Sequence, residues 1–131
     1  MRAIHIGLVC SNEQNADLFY EDLLGLEKQE LKTIPVSIVK PLFGFDFPLS
    51  VVNYIGTGLH IEVFLTDRPN NSPDNMSHIC LEVENADTLL DRAASLGFTV
   101  TRVSKGNDAW VMFLDDSDGN RYEVKETVAG S

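Results

Sequence analysis

The chain contains itself twice. His5-Ile6-Gly7-Leu8-Val9 and His78-Ile79-Cys80-Leu81-Glu82-Val83 are both short, β-rich alternating segments. Each runs into a helical stripe with apolar residues at i, i+3, i+4, i+7 and i+8. The first stripe is Ala16, Phe19, Tyr20, Leu23 and Leu24, and the second is Ala86, Leu89, Leu90, Ala93 and Ala94. Ser11 or Asn12, with Gln14, can cap the first helix, and Asn85 the second. Gly25 and Gly97 stand where a left-handed C-cap is wanted, 20 and 19 positions after the two histidines. The repetition constrains the rest of the chain, because each half must bury its helix against strands of its own.

After each glycine the pattern returns to strands. The first half offers roughly Glu27–Val39, Leu49–Ile55 and Leu59–Leu65, and the second roughly Thr99–Val103, Ala109–Leu114 and Asn120–Lys125. A tight turn, Asp115 to Asn120 with Gly119, precedes the last of these. The expected fold is α+β, with two βαβββ modules forming an eight-stranded, bowl-like mixed sheet and helices on the outer face. The modules span about 3–65 and 78–126, and the linker 66–77 is rich in Asn, Pro, Asp and Ser. A length of 131 residues suits one domain. The first module is the longer, mostly through Lys32–Pro48, which holds Pro35, Pro41, Pro48 and the alternating Phe43, Phe45 and Phe47.

Composition narrows the partners. With 44% apolar and 23% charged residues the chain is not of the disordered type. Twenty acidic against ten basic residues give a net charge of −10, which excludes nucleic acid and anionic membrane surfaces as expected partners. No apolar run approaches the roughly 20 residues of a membrane span. The opening MRAIHIGLVCSNE turns polar too soon for a secretion signal. Cys10 and Cys80 read as two reduced, buried thiols, and the expected location is the cytoplasm.

The two-residue period of a strand sorts side chains by face. Ile4, Ile6 and Leu8 share one face of the first strand, and His5 shares the other with Gly7 and Val9. In the last strand of the first half, Ile61 and Val63 oppose His60, Glu62 and Phe64. In the second half, Ile79 and Leu81 oppose His78 and Cys80, while Tyr122 and Val124 oppose Arg121 and Glu123. The aliphatic faces suit the helices. The opposite faces carry His5, Glu62, His78 and Glu123 with Val9, Phe64 and Cys80 interleaved. That mixture of ionisable and apolar groups suits a ligand pocket, and two imidazoles with two carboxylates suit a divalent transition metal.

At these residues the chain resembles the vicinal oxygen chelate (glyoxalase/bleomycin resistance/dioxygenase) superfamily, and glyoxalase I, lactoylglutathione lyase, most of all. The resemblance is carried by HIGLV, by DLFYEDLLGLE at Asp17–Glu27, by HIEVFL at His60–Leu65, by MSHICLEV at Met76–Val83 and by DDSDGNRYEVKE at Asp115–Glu126. It implies a metal-dependent lyase or isomerase that moves a proton next to a carbonyl through an enediolate, for example converting a 2-oxoaldehyde–thiol hemithioacetal into a 2-hydroxyacyl thioester. The implied ligands are His5, Glu62, His78 and Glu123, with Glu123 or Glu62 as the catalytic base. The implied ion is Ni²⁺ or Zn²⁺, with Co²⁺, Mn²⁺ or Fe²⁺ as alternatives, and the implied assembly is a homodimer. The ligands could meet within one chain or across two. Phe64, Cys80, Trp110 and Arg121 are candidate pocket residues, and Phe43, Phe45 and Phe47 could wall an apolar site. Glu62 separates this pattern from relatives with three ligands.

The resemblance leaves two alternatives. One is an isomerase similar to methylmalonyl-CoA epimerase, and the other is a non-catalytic protein of the same fold that binds a small molecule such as a drug. Glyoxalase I carries an arginine four residues after its first histidine, where this chain has Val9. With a net charge of −10, that weighs against glutathione as the thiol.

Overall fold

A computed structural model describes residues 1–67 and 76–127. Most of the expected linker therefore lies outside the described residues. The chain divides between residues 70 and 71 into two compact units.

In the first unit, β1 (Ile6–Cys10) leads to α1 (Glu13–Ala16), which continues as a π-helix over Asp17–Leu23. Asn12 is the N-cap: it is extended, and its Oδ1 accepts the Asn15 backbone N–H at 2.8 Å. Ala16, Phe19, Tyr20 and Leu23 of the expected stripe are buried. Gly25, at φ 71°, ends the helix in the left-handed conformation that a side chain would disfavour. Then come β2 (Glu27–Lys28), β3 (Lys32–Ile34), α2 (Val36–Phe43), β4 (Leu49–Gly56) and β5 (Leu59–Leu65).

The expected strand Glu27–Val39 is corrected here. It breaks into β2 and β3, and Val36–Val39 turns helical. Pro35, at φ −70° and ψ 156°, sits at the N-cap of α2, where it disrupts no helical hydrogen bond. The β-branched run Val36-Ser37-Ile38-Val39 looks like a strand locally, but Val39 is fully buried from a helical position. Gly44 closes α2, its N–H bonding the Lys40 carbonyl at 2.9 Å.

The second unit contains β6 (Ile79–Val83), α3 (Ala86–Ser95), β7 (Thr99–Gly106), β8 (Ala109–Asp115) and β9 (Arg121–Glu126). Asn85 caps α3 by accepting the Thr88 N–H at 2.9 Å, and the Glu126 carboxylate of β9 accepts the Ala86 N–H at 3.0 Å. Ala86, Leu90 and Ala93 are buried and Leu89 half-buried, but Ala94 is exposed, so the apolar stripe is one residue narrower than expected. Gly97 takes φ 92°.

The same topology appears in both units. The first sheet runs β1-β5-β4-β2 with β3 also on β4, and the second runs β6-β9-β8-β7. In each, the first strand lies parallel to the last and the remaining neighbours are antiparallel. Four strands on each path make the eight expected, and β3 is added by the Lys32–Pro48 insertion. Alternation holds as well: Ile61, Val63, Tyr122 and Val124 are buried, while Glu62 and Glu123 between them are half-buried. The fold is α+β with paired βαβββ modules.

Candidate metal centre

The parallel pairing of first and last strands brings each histidine to its glutamate. Gly7 lies opposite Glu62 and Cys80 opposite Glu123. In both units the histidine falls two residues before that position, just outside its strand, on the glutamate's face. His5 Nε2 is 3.3 Å from Glu62 Oε2, and His78 Nε2 is 3.4 Å from Glu123 Oε1. Both distances exceed the usual hydrogen-bond mode of about 2.9 Å. They match two donors held about 2.1 Å from one ion at roughly 90–109° to each other, which lie about 3.0–3.4 Å apart.

His78 is further defined. Its Nδ1 lies 2.7 Å from the Met76 carbonyl, which can only accept, so Nδ1 carries the proton and donates. The Nε2 lone pair is then available to a ligand in the neutral ring. His5 has no such backbone tie among the described residues. Its ring instead lies 5.5 Å from that of His60, tilted by 51°. The His60 Nε2 is in turn 2.6 Å from Asn53 Oδ1, and Asn53 pairs with Glu62 across β4 and β5. His60, on the same strand face as Glu62, thus lies beside His5.

Among the described residues no three or more His, Cys, Asp or Glu side chains gather at one point. Each unit alone brings together two donors, half of a four-ligand set. The residues fit a divalent ion in donor type and spacing as two pairs.

The other candidates separate clearly. Phe64 is on the Glu62 face. Its ring packs against Phe43 at 5.4 Å, and its Cε2 lies 3.4 Å from where a Gly7 side chain would begin. Phe45 and Phe47 stack on each other at 5.1 Å. Arg121 is anchored: its Nε donates to Asp115 Oδ1 at 3.0 Å and its guanidinium lies 4.6 Å from the Phe113 ring centroid. Cys10 is buried as expected. Cys80 is exposed, a correction, because strand alternation places it on the face of His78 and opposite Glu123 rather than under α3.

Trp110 is 53% exposed and lies on the opposite face of β8 from Phe113. Phe113 is the residue missed in the sequence. Its ring sits 4.9 Å from that of His78, and it pairs directly with Glu123. The signal was its odd-numbered position two before Asp115, which becomes informative only once β8 and β9 are registered.

A model of the Glyoxalase/Bleomycin resistance protein/Dioxygenase superfamily matches residues 2–124. The chain belongs to that superfamily, whose members include glyoxalases, dioxygenases and fosfomycin resistance proteins and commonly depend on a divalent metal. Several solved structures share the fold. A glyoxalase family protein from Enterococcus faecalis is 18% identical, with a TM-score of 0.68 over 94% of this chain and 95% of its own. A glyoxylase/bleomycin resistance protein/dioxygenase domain from a Frankia species is 17% identical, with a TM-score of 0.72 over 100% and 95%. A genomically encoded fosfomycin resistance protein from Listeria monocytogenes is 14% identical, with a TM-score of 0.71 over 98% and 95%. No curated protein matches the chain. Among the described residues no helix is long and apolar enough to cross a membrane.

Proposed function

We propose that this chain is a metal-dependent lyase or isomerase of the glyoxalase I kind. Its substrate would be the adduct of a 2-oxoaldehyde with a small thiol, and its product a 2-hydroxyacyl thioester. The observation that carries this reading is the doubled pair, a histidine nitrogen and a glutamate oxygen at 3.3 Å and 3.4 Å on the same register in both units. Relatives with three ligands lack a carboxylate at the place of Glu62.

His5, Glu62, His78 and Glu123 would hold the ion, and two nitrogen and two oxygen donors suit Ni²⁺ or Zn²⁺. The ion supplies Lewis acidity toward two neighbouring substrate oxygens. The chain's own residues do the rest. Glu62 or Glu123 takes the proton from the carbon bonded to sulfur and returns it to the adjacent carbonyl carbon, while the hydroxyl proton passes between the two oxygens. The C–S bond stays intact throughout, so atoms and electrons balance without an oxidant. His78 would serve as a ligand through Nε2, its ring fixed by Nδ1 on the Met76 carbonyl. Val9, half-buried beside Phe64, places an aliphatic group where glyoxalase I has arginine, which favours a thiol other than glutathione. The active species on this reading is a cytoplasmic homodimer.

The test combines metal analysis of the purified protein with assays of methylglyoxal plus glutathione and plus other thiols. Loss of metal in His78→Ala and Glu123→Ala supports the reading. Full metal binding by the combined His5→Ala, His78→Ala, Glu123→Ala variant overturns it, as does a lack of turnover with every thiol.

A further inference from the structure

We infer that a cleft beside His5 binds the anionic end of a small ligand and, building on the function proposed above, that it seats the carboxylate-bearing arm of the thiol. The cleft lies wholly within the first unit, encloses about 450 Å³, and is lined by residues that include Arg2, Ile4, His5, Gly58, Leu59 and His60. That volume is typical of small-molecule sites.

Its lining is chemically divided. Ile4 and Leu59 offer aliphatic wall, and Ile4 is 64% exposed, an apolar surface left to water. His60 is a fixed wall, since its Nε2 is tied to Asn53. A side chain at Gly58 would meet no atom within 4 Å, so this end of the β4–β5 turn presents bare backbone and leaves the cleft open. Arg2 supplies the positive charge. In a chain with a net charge of −10, Arg2 forms no ion pair with a carboxylate among the described residues. A guanidinium recognises one carboxylate through two parallel hydrogen bonds.

His5 belongs both to the cleft and to the His5–Glu62 pair. A ligand seated in the cleft therefore lies against one member of that pair. The negative field of the chain works against polyanions, while a single arginine matches a single carboxylate. The ligand class is a short thiol or thioester with one carboxylate and an aliphatic arm that lies against Ile4 and Leu59.

The test is calorimetric titration of the full-length protein, as purified, with S-acetylmercaptopropionate and with its neutral amide. The acid is expected to bind about tenfold more tightly than the amide. In Arg2→Gln the two should bind equally, and Arg2→Lys should keep part of the preference. Equal binding of acid and amide by the unaltered protein, binding of neither, or a preference that survives in Arg2→Gln would each overturn the inference. Metal content is read on the same samples. A protein without metal that still prefers the acid would overturn the proposed activity and leave the cleft standing.

Discussion

The Nε2 of His78 stands 3.4 Å from a carboxylate oxygen of Glu123, and the other nitrogen of the same ring is committed to the Met76 carbonyl at 2.7 Å. Its partner relationship in the first unit, His5 with Glu62 at 3.3 Å, has the same register without the backbone tie. The pairs are alike in placement and unlike in how firmly the histidine is held. A ligand whose ring is already oriented loses less freedom when a metal binds, so the His78 pair is the better prearranged of the two.

That difference predicts an order of effects. His5→Ala and His78→Ala should each lower divalent-metal affinity by at least about a hundredfold, since even residues that only orient a ligand cost 10–100-fold. The larger loss is expected for His78→Ala. Competition of Co²⁺ binding against a chelator measures both. Equal or reversed losses would show that the Met76 tie contributes nothing to the metal.

Phe113 should matter without being a ligand. Its ring lies 4.9 Å from His78 and 4.6 Å from the Arg121 guanidinium, which Asp115 anchors. Phe113→Leu removes both contacts and leaves every donor atom in place. The expected result is a roughly tenfold loss of metal affinity and about 1 kcal/mol of stability. Trp110→Leu, on the opposite face of β8, should leave metal affinity unchanged. The visible absorption of the Co²⁺ form would report the altered His78 geometry directly.

The sequence makes some of this legible for identifiable physical reasons. Leu59–Leu65 reads as a strand because one of its faces must be buried and the other carries His60, Glu62 and Phe64, so a period of two is forced. The helix starts are legible at Asn12 and Asn85 because an amide side chain can satisfy an orphaned N–H locally. The His–Glu pairs follow from the same parity and from the repetition. Val36–Val39 is not legible, since β-branched residues favour a strand locally and only the burial of Val39 from a helix decides otherwise. Phe113 is hidden because its partner is set by the register of β8 on β9, fixed at the turn where Asp116 accepts the N–H groups of Asp118 and Asn120. Arg2 is hidden because it precedes β1, outside any periodic pattern.

Away from the candidate centre, one polar network fastens the first helix to the sheet. The Tyr54 hydroxyl, fully buried in β4, donates to Asp17 Oδ1 at 2.7 Å. Lys28 of β2 lies 2.9 Å from both Asp17 and Glu13. Tyr54→Phe keeps the ring packed against Tyr20 but removes a hydrogen bond to a charged acceptor, with an expected loss of about 1.5–3 kcal/mol. Urea unfolding at neutral pH measures it. A loss under about 0.5 kcal/mol would mean that water replaces the hydroxyl at Asp17.

The same network predicts how stability responds to alkali. Burial, followed by the bond to Asp17, pushes the Tyr54 hydroxyl well above its ordinary 10.0. The hydrogen bonds to Asp17 and then Glu13 push Lys28 from 10.5 up to about 12, against a smaller opposing effect of burial. Both groups bind their protons more tightly in the folded chain than in the unfolded one. Their contribution is therefore complete below about pH 10, where both states are protonated, and is lost as the pH rises through the folded values. For Lys28 the loss runs from 10.5 to about 12. Unfolding free energy should be insensitive to these groups between about pH 7 and 9.5 and fall steeply above pH 10. In a Tyr54→Phe, Lys28→Met double variant, already less stable at neutral pH, the alkaline slope should be visibly shallower. Parallel alkaline limbs for the unaltered and double-variant proteins would show that other groups control the transition.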